Sequence, residues 1–407
     1  MNSLFPSVNL LSLALAHIRY TLSAFIANAF LLGLAVASIV FLAVTADALD
    51  QRARADAQGI DLVVGPKGSP LQLVLAALYH IDVSPGNIPK TQADQLAKNP
   101  MIAKAVPINL GDNYRGFRIV GTDTKAFTEL YGVLPASGNL PFQAMQAVIG
   151  SQVPARTGLT VGSRFAGAHG LAEGGPEHKE DVYTVTGILA PTGTVMDRLI
   201  LTPLESVWLV HEGEVSDIAE RKILEAEREY SALLIRYRTP IAAAILPRNI
   251  NASDKLQAAS PAVESARLFS LLEPALLLMK AFAMLLFGAA LISIGLATTV
   301  SLRERRMDAA VLRLMGASKA KLLRQYALEA AMLGSAGAIM GLLISILALH
   351  ATAAWLAAGP KIVMTELILP NAAWQLVLLA LPVSVLAAAW PAFKASQVEV
   401  ATILAER

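Results

Sequence analysis

Residues 20–46 read YTLSAFIANAFLLGLAVASIVFLAVTA, a run of 27 residues without Asp, Glu, Lys or Arg, bounded by Arg19 and Asp47. A helix rises about 1.5 Å per residue, so such a run exceeds the ~20 residues that cross ~30 Å of hydrocarbon. Three further runs meet the same test. Ala281–Leu302 lies between Lys280 and Arg303, the stretch after Glu329 stays uncharged to Pro360 apart from His350, and Leu367–Phe393 lies between Glu366 and Lys394. The chain is therefore expected to be a membrane protein with four transmembrane α-helices. The first run is too long for a signal-peptide core and reads as a retained helix.

Orientation follows from Lys and Arg, which stay cytoplasmic in short loops. Between the second and third runs stand Arg303, Arg305, Arg306, Arg313, Lys319, Lys321 and Arg324, whereas the connection before the fourth run offers only Lys361. The expected order is a cytoplasmic segment (1–19), a first span (20–46), an external domain with helical stalk ends (47–274) and a second span (275–302). A basic cytoplasmic helix and loop (303–327), a third span (328–353), a short external connection (354–370), a fourth span (371–393) and a cytoplasmic tail (394–407) complete it.

Composition agrees, with 55% hydrophobic and only 16% charged residues. The net charge of +2 comes with Lys and Arg near the membrane ends, not on a face interleaved with aromatics, which argues against nucleic acid as a partner. The absence of cysteine excludes disulfides, thiolate metal sites and a cysteine nucleophile. No expected span carries an internal Asp, Glu, Lys or Arg, since Lys280 sits at an end and can snorkel, which disfavours a transporter with a charged midplane site. Gly334, Gly337 and Gly341 in the third span allow close helix approach, fitting either a dimer seam or packing within the chain.

The external domain reads as mixed α/β. Ile60–Val64, Phe117–Val120 and Val182–Leu189 are β-branched or alternating and predict strands, while Leu71–Tyr79, Thr91–Lys98, Pro203–Val210 and Asp217–Glu229 predict helices. Its flanks read as helical stalks. Asp50 with Arg54 and Arg52 with Asp56 stand at i,i+4 spacing before it, and Pro261–Lys280 runs apolar after it, with Pro274 suiting a kink.

Candidate chemistry is sparse. Gly65-Pro66-Lys67-Gly68-Ser69-Pro70 lacks the spacing of a phosphate loop and predicts a turn, so any ATP hydrolysis belongs to another chain. His169, Glu173, Glu177, His178, Glu180 and Asp181 crowd one Gly-rich loop. Charge clusters of this kind usually face water, and the sharper alternative is a weak zinc site using His169 and His178. His80 with Asp82 and His211 with Glu212 are similar, weaker pairs. No HExxH, GxSxG or triad spacing occurs, so the chain is not expected to be an enzyme or to carry a cofactor.

The most informative stretch is cytoplasmic: residues 301–318 read SLRERRMDAAVLRLMGAS. It predicts a short amphipathic helix with Val311, Leu312, Leu314 and Met315 as apolar knobs, Gly316 as its stop and Ser318 as the cap of the next helix. Such a helix suits anionic lipid or a groove on a partner.

Arg303–Ser318, continuing as KLLRQYALEA over 321–330, resembles the basic RERxxEIGxxRAxGAS stretch of the MacB/FtsX-like ABC transporter permeases and the following helix that ends in EA. Pro391–Ser396 with Thr402–Leu404 is similar to that family's C-terminal tail, and the topology matches. One departure is Asp308-Ala309-Ala310 in place of Glu-Ile-Gly, and, unlike the MacB exporter itself, the chain is not expected to carry a fused nucleotide-binding domain. The resemblance implies a multi-pass permease of the bacterial inner membrane with cytoplasmic termini and a periplasmic domain. It would dimerise with a second permease copy and bind a cytoplasmic ABC ATPase, which holds ATP and Mg. The implied ATPase-coupling residues are Arg303, Glu304, Arg305, Asp308, Val311, Leu312, Met315 and Gly316. ATP-driven motion of the outer domain would drive export or release of a substrate from the periplasmic side, with an adaptor and outer-membrane duct as further partners. The alternative is an FtsX-like signalling scaffold that activates a periplasmic partner without transport; the large outer domain favours exporter-type or lipoprotein-release-type systems.

Overall fold

The computed structural model describes residues 10–170, 177–212, 224–358 and 371–397. In chain order it starts with α1 (Leu10–Tyr20) and α2 (Leu22–Asp56), then β1 (Leu62–Pro66), α3 (Pro70–Ala77), β2 (Ile88–Pro89) and α4 (Lys90–Ala97). There follow β3 (Ile102–Tyr114), β4 (Phe117–Thr122), α5 (Thr124–Leu130), β5 (Pro135–Gly138), β6 (Gln146–Ile149) and α6 (Val153–Thr157). Next come β7 (Arg164–Ala168), β8 (Glu177–Leu189), β9 (Leu199–Pro203), α7 (Leu204–Glu212), β10 (Glu229–Tyr230), β11 (Ala232–Tyr237), α8 (Ala242–Asn251) and β12 (Leu256–Ala259). The last elements are α9 (Pro261–Glu304), α10 (Arg306–Leu314), α11 (Lys319–Ala358) and α12 (Asn371–Ser396).

The described residues form two compact units, one of sheet and helices over Leu49–Leu272, the other helical and made of the residues to Ala48, Glu273–Ala354 and the residues from 371 onward. In the first, ten strands make one sheet in the order β12-β1-β11-β3-β4-β9-β6-β8-β5, with β7 pairing both β3 and β8. Pairing is antiparallel except for β4 with β9 and β6 with β8. Successive side chains of a strand point to opposite faces, and here both faces are covered. On one face Val63, Val120, Leu201 and Leu234 meet Leu73, Val74, Phe127 and Leu130 of α3 and α5. On the other, Leu62, Val64, Leu233 and Ile235 pack with Leu246 and Ile250 of α8. Farther along, Phe117, Ile119 and Ile200 pack with Val153 of α6. Double burial explains why Leu62–Val64 of β1 read as a continuous apolar run.

The expected strands and helices of this unit largely appear, with shifted ends. The residues of the Gly65–Pro70 stretch finish β1 and start α3, where Ser69 Oγ accepts the Gln72 N–H at 3.3 Å. Lys67 Nζ donates to the carbonyls of Asn251 and Ser253 at 2.8 and 3.0 Å, a structural use of that lysine. Glu229, expected to end a helix, lies instead in β10 and pairs with Pro89; most of that expected helix falls outside the described residues. The sequence pattern missed β3, because Pro107 and Gly111 interrupt it and its register with β4 shifts between Leu110 and Asn113.

The end of α2 is built into this unit. Asp50 and Arg54 form the expected exposed pair at 2.9 Å, but Asp56 is buried rather than solvated. Its Oδ1 accepts the Val195 N–H at 2.6 Å and lies 3.7 Å from Arg52 Nε, while Arg52 Nη2 donates to Thr194 O at 3.1 Å. Tyr131 donates its hydroxyl to Asp56 O at 3.1 Å. Tyr79 Oη and Ser265 Oγ of α9 share a hydrogen bond of 2.6 Å, which brings the beginning of α9 into the same cluster.

Among the described residues, three helices are long and apolar enough to cross a membrane: Leu22–Asp56, Pro261–Glu304 and Lys319–Trp355. The fourth expected span corresponds to α12, whose described apolar run, Leu378–Lys394, is shorter. Leu32, Val36, Val40 and Val44 of α2 form a core with Ile294 of α9, Leu349 of α11 and Ala380 of α12. Helix α9 continues through Pro274 without interruption.

Two outcomes test this packing. A Cβ at Gly341 would lie 2.7 Å from the Gly33 carbonyl oxygen and 2.8 Å from Val36 Cβ, whereas one at Gly288 would meet nothing within 4 Å. Gly341→Leu is therefore expected to cost about 1–3 kcal/mol or more, by forcing α2 and α11 apart, and Gly288→Leu close to nothing. Thermal unfolding in detergent reads the difference, and equal midpoints would refute the close approach. The second outcome concerns Asp56. Burial raises its carboxyl above the ordinary value, against the opposing pull of Arg52. A carboxyl raised in the folded state contributes stability below its unfolded pKa, and loses it as pH rises through the folded value. Asp56→Asn keeps an acceptor for Val195, so its stability relative to the unmutated chain should grow from about pH 4 to pH 7. Asp56→Ala, which orphans that N–H, should cost about 1–3 kcal/mol. A pH-independent difference between Asn and Asp would contradict the burial effect.

Candidate docking site

The basic stretch folds as its residues dictate. Helix α9 ends at Glu304, Arg305 turns the chain, and α10 follows with Asp308 in its first turn and Arg313 in its last, the favourable signs for a helix dipole. Gly316 takes φ +94°, a left-handed conformation that suits glycine after a helix. The Ala317 N–H donates to Leu312 O at 3.0 Å, closing the helix end. Ser318 Oγ then accepts the Lys321 N–H at 3.2 Å and starts α11.

A nine-residue helix is marginal by itself, and α10 is held by its inner face. Ala310 is buried, and Ala309 and Leu312 pack on Leu302, Leu322, Tyr326 and Ala392. Leu312, expected with the docking knobs, is thus turned inward. The outward stripe consists of Met307, Val311, Leu314 and Met315, spaced i, i+4, i+7 and i+8, with the last two 63% and 75% exposed. Met307 belongs to this stripe although the sequence reading omitted it. Arg303, Glu304, Arg306, Asp308 and Gly316 are exposed around it. Arg305 is not a free surface cation: its Nη1 lies 3.3 Å from Glu329 Oε1. Glu329, absent from the candidates, showed in the sequence as the charge that precedes the third uncharged run and as the Glu of the EA that ends KLLRQYALEA.

Other candidates have other places. Gly334 faces Ser384 of α12, Gly337 faces Leu32 of α2, and Gly341 faces Gly33 and Val36, so helices of the same chain fill all three positions. His169 Nδ1 lies 3.1 Å from Asp112 Oδ1, while the side chain of His178 is outside the described residues. Among the described residues no group of three or more His, Asp or Glu is placed to hold a metal ion. His80 is buried against β-sheet residues, and burial, with the neighbouring charges of Arg118 and Arg198, drives its pKa well below the ordinary imidazole value. Asp82, its sequence partner, accepts the Val83 N–H. The side chains of His211 and Glu212, and residues 398–407 of the expected tail, lie outside the described residues.

Residues 280–400 match the family model described as FtsX-like permease C-terminal. No curated protein matches the chain. Among solved structures, the periplasmic region of MacB from Actinobacillus actinomycetemcomitans is 11% identical with a TM-score of 0.34, over 52% of this chain and 95% of that one. The extracellular domain of the noncanonic ABC-type transporter YknZ from Gram-positive bacteria is 13% identical with a TM-score of 0.29, over 49% and 99%. The matched residues include α10, α11, α12 and the apolar second half of α9. Over residues 280–400 the chain is thus similar to the C-terminal domain of FtsX-like permeases.

Proposed function

We propose that this chain is the permease subunit of an ABC transporter, and that a separate cytoplasmic ATPase docks on the outward face of α10. One observation carries the reading: within the FtsX-like domain, a short helix fixed by its inner face presents Met307, Val311, Leu314 and Met315 to the outside. Four apolar side chains in one stripe, ringed by charges of both signs, are the complement of an apolar groove with a polar rim. ATP and Mg belong to the partner, since the chain has no phosphate loop. In this reading α12 is the fourth span, both termini and α10 are cytoplasmic, and the sheet unit is periplasmic. ATP-driven motion of the outer domain, in a dimer of permease chains, drives export or release of a substrate, with an adaptor and outer-membrane duct completing the path.

The test uses the exposed stripe and spares the inner face. Val311→Asp combined with Met315→Asp, in the full chain co-expressed with its ATPase, is expected to weaken co-elution at least about 10-fold, as removal of central apolar anchors does. Leu312→Asp is a control of a different kind, because it strikes the packing against Tyr326 and lowers the thermal midpoint as well. Retained co-elution of the Val311/Met315 variant would move the docking site elsewhere, and an unmutated pair that never associates would defeat the reading.

A further inference from the structure

We infer that Glu329 is a positioning residue for α10, a single carboxylate through which the docking helix, α1 and α11 are held as one piece; the consequence for ATP coupling rests on the docking reading above. Arg305 occupies the position before α10 and supplies no side-chain cap to that helix. Its guanidinium instead reaches Glu329, with Nη1 3.3 Å from Oε1 and 3.4 Å from Oε2. On α11 itself, Gln325 Nε2 donates to Oε1 at 3.0 Å. From α1, His17 Nε2 lies 3.7 Å from Oε2 and 3.0 Å from Ser301 Oγ in the last turns of α9. Residues of α1, the α10 entry and α11 thus converge on one carboxylate that is only 16% exposed, and α9 is tied to it indirectly, through His17. A charge pair so sheltered is screened by salt far less than a surface pair.

The surroundings explain why this contact, rather than apolar packing alone, sets the position of α10. The cluster of Leu302, Leu322, Tyr326 and Ala392 grips Ala309 and Leu312, toward the middle and end of α10. The start of α10 has the Arg305–Glu329 pair as its tie. Beside that pair lies a cavity of about 370 Å³ bordered by His17, Thr21, Asn28, Ser301, Tyr326 and Glu329. A push on α10 is then delivered to Glu329, and through it to α1 and α11 together.

The cysteine-free sequence permits a direct test. A spin label on Leu314→Cys in the full chain, in nanodiscs, reports the mobility of α10 without any ATPase. The label should be held in the otherwise unmutated chain and loosened by Glu329→Gln or by Arg305→Ala. The exchange of charges, Arg305→Glu with Glu329→Arg, should restore at least half of the lost immobilisation. With the ATPase present, Glu329→Gln should retain co-elution and lose stimulated turnover about 10-fold. Should Glu329→Gln fail to purify, Arg305→Ala, which removes a partly exposed partner, carries the test. Unchanged label mobility in these variants, or no recovery on charge exchange, overturns the positioning role. Loosening of the label in a chain that never binds the ATPase sinks the docking reading and leaves the role of Glu329 intact.

Discussion

Hydrocarbon offers no partner to a backbone N–H or C=O, so a chain that enters it must satisfy those groups within its own helices. That constraint sets the lengths of α2, α9 and α11 and the near absence of charge along their apolar runs. It also removes the usual hydrophobic drive for helices to associate, since lipid is as apolar as Leu or Val. What remains is close fit. Gly33 against Gly337 and Gly341, and Gly334 against Ser384, let backbones approach to contact distance, and Asn28 accepts the Ser293 hydroxyl at 2.7 Å. The glycines and the few polar side chains of these helices therefore do the organising that a large apolar core performs in the sheet unit.

The two units were legible to different degrees for the same reason. Uncharged length is a one-dimensional property, and residues 20–46 or 281–302 declare it without reference to any other part of the chain. The sheet depends on pairing between distant segments. Strand β1 was visible because both faces are buried, which makes its residues uniformly apolar; β3 was not, because a proline, a glycine and a shift of register break its alternation. The order in which ten strands adjoin, including the two parallel pairs, is written in no local pattern.

Helix α10 shows the limit at the level of single side chains. Its existence, its glycine stop and the serine that starts the next helix followed from residues 301–318 alone. Which apolar residues face outward did not, because Val311, Leu312, Leu314 and Met315 crowd both faces of a short helix and only the position of Tyr326 and Leu322 decides between them. Arg305 likewise looked like one basic residue among many until Glu329, 24 positions away, was placed beside it. A residue can be read as surface charge from its neighbours in sequence and be structural by its neighbours in space.

The ends of the large sheet bear on how this protein meets others. Its outermost strands, β12 and β5, are only four residues long, and β5 opens with Pro135 and closes at Gly138 with φ +70°. An extended segment arriving from another molecule would find few unpaired amides in line, and strand-by-strand growth has nowhere to propagate. Short edges of this kind are how folded sheets blunt edge-to-edge self-association. At these two edges a companion would meet side-chain surface, where selectivity is tuned residue by residue, more than a backbone ladder that accepts almost any sequence.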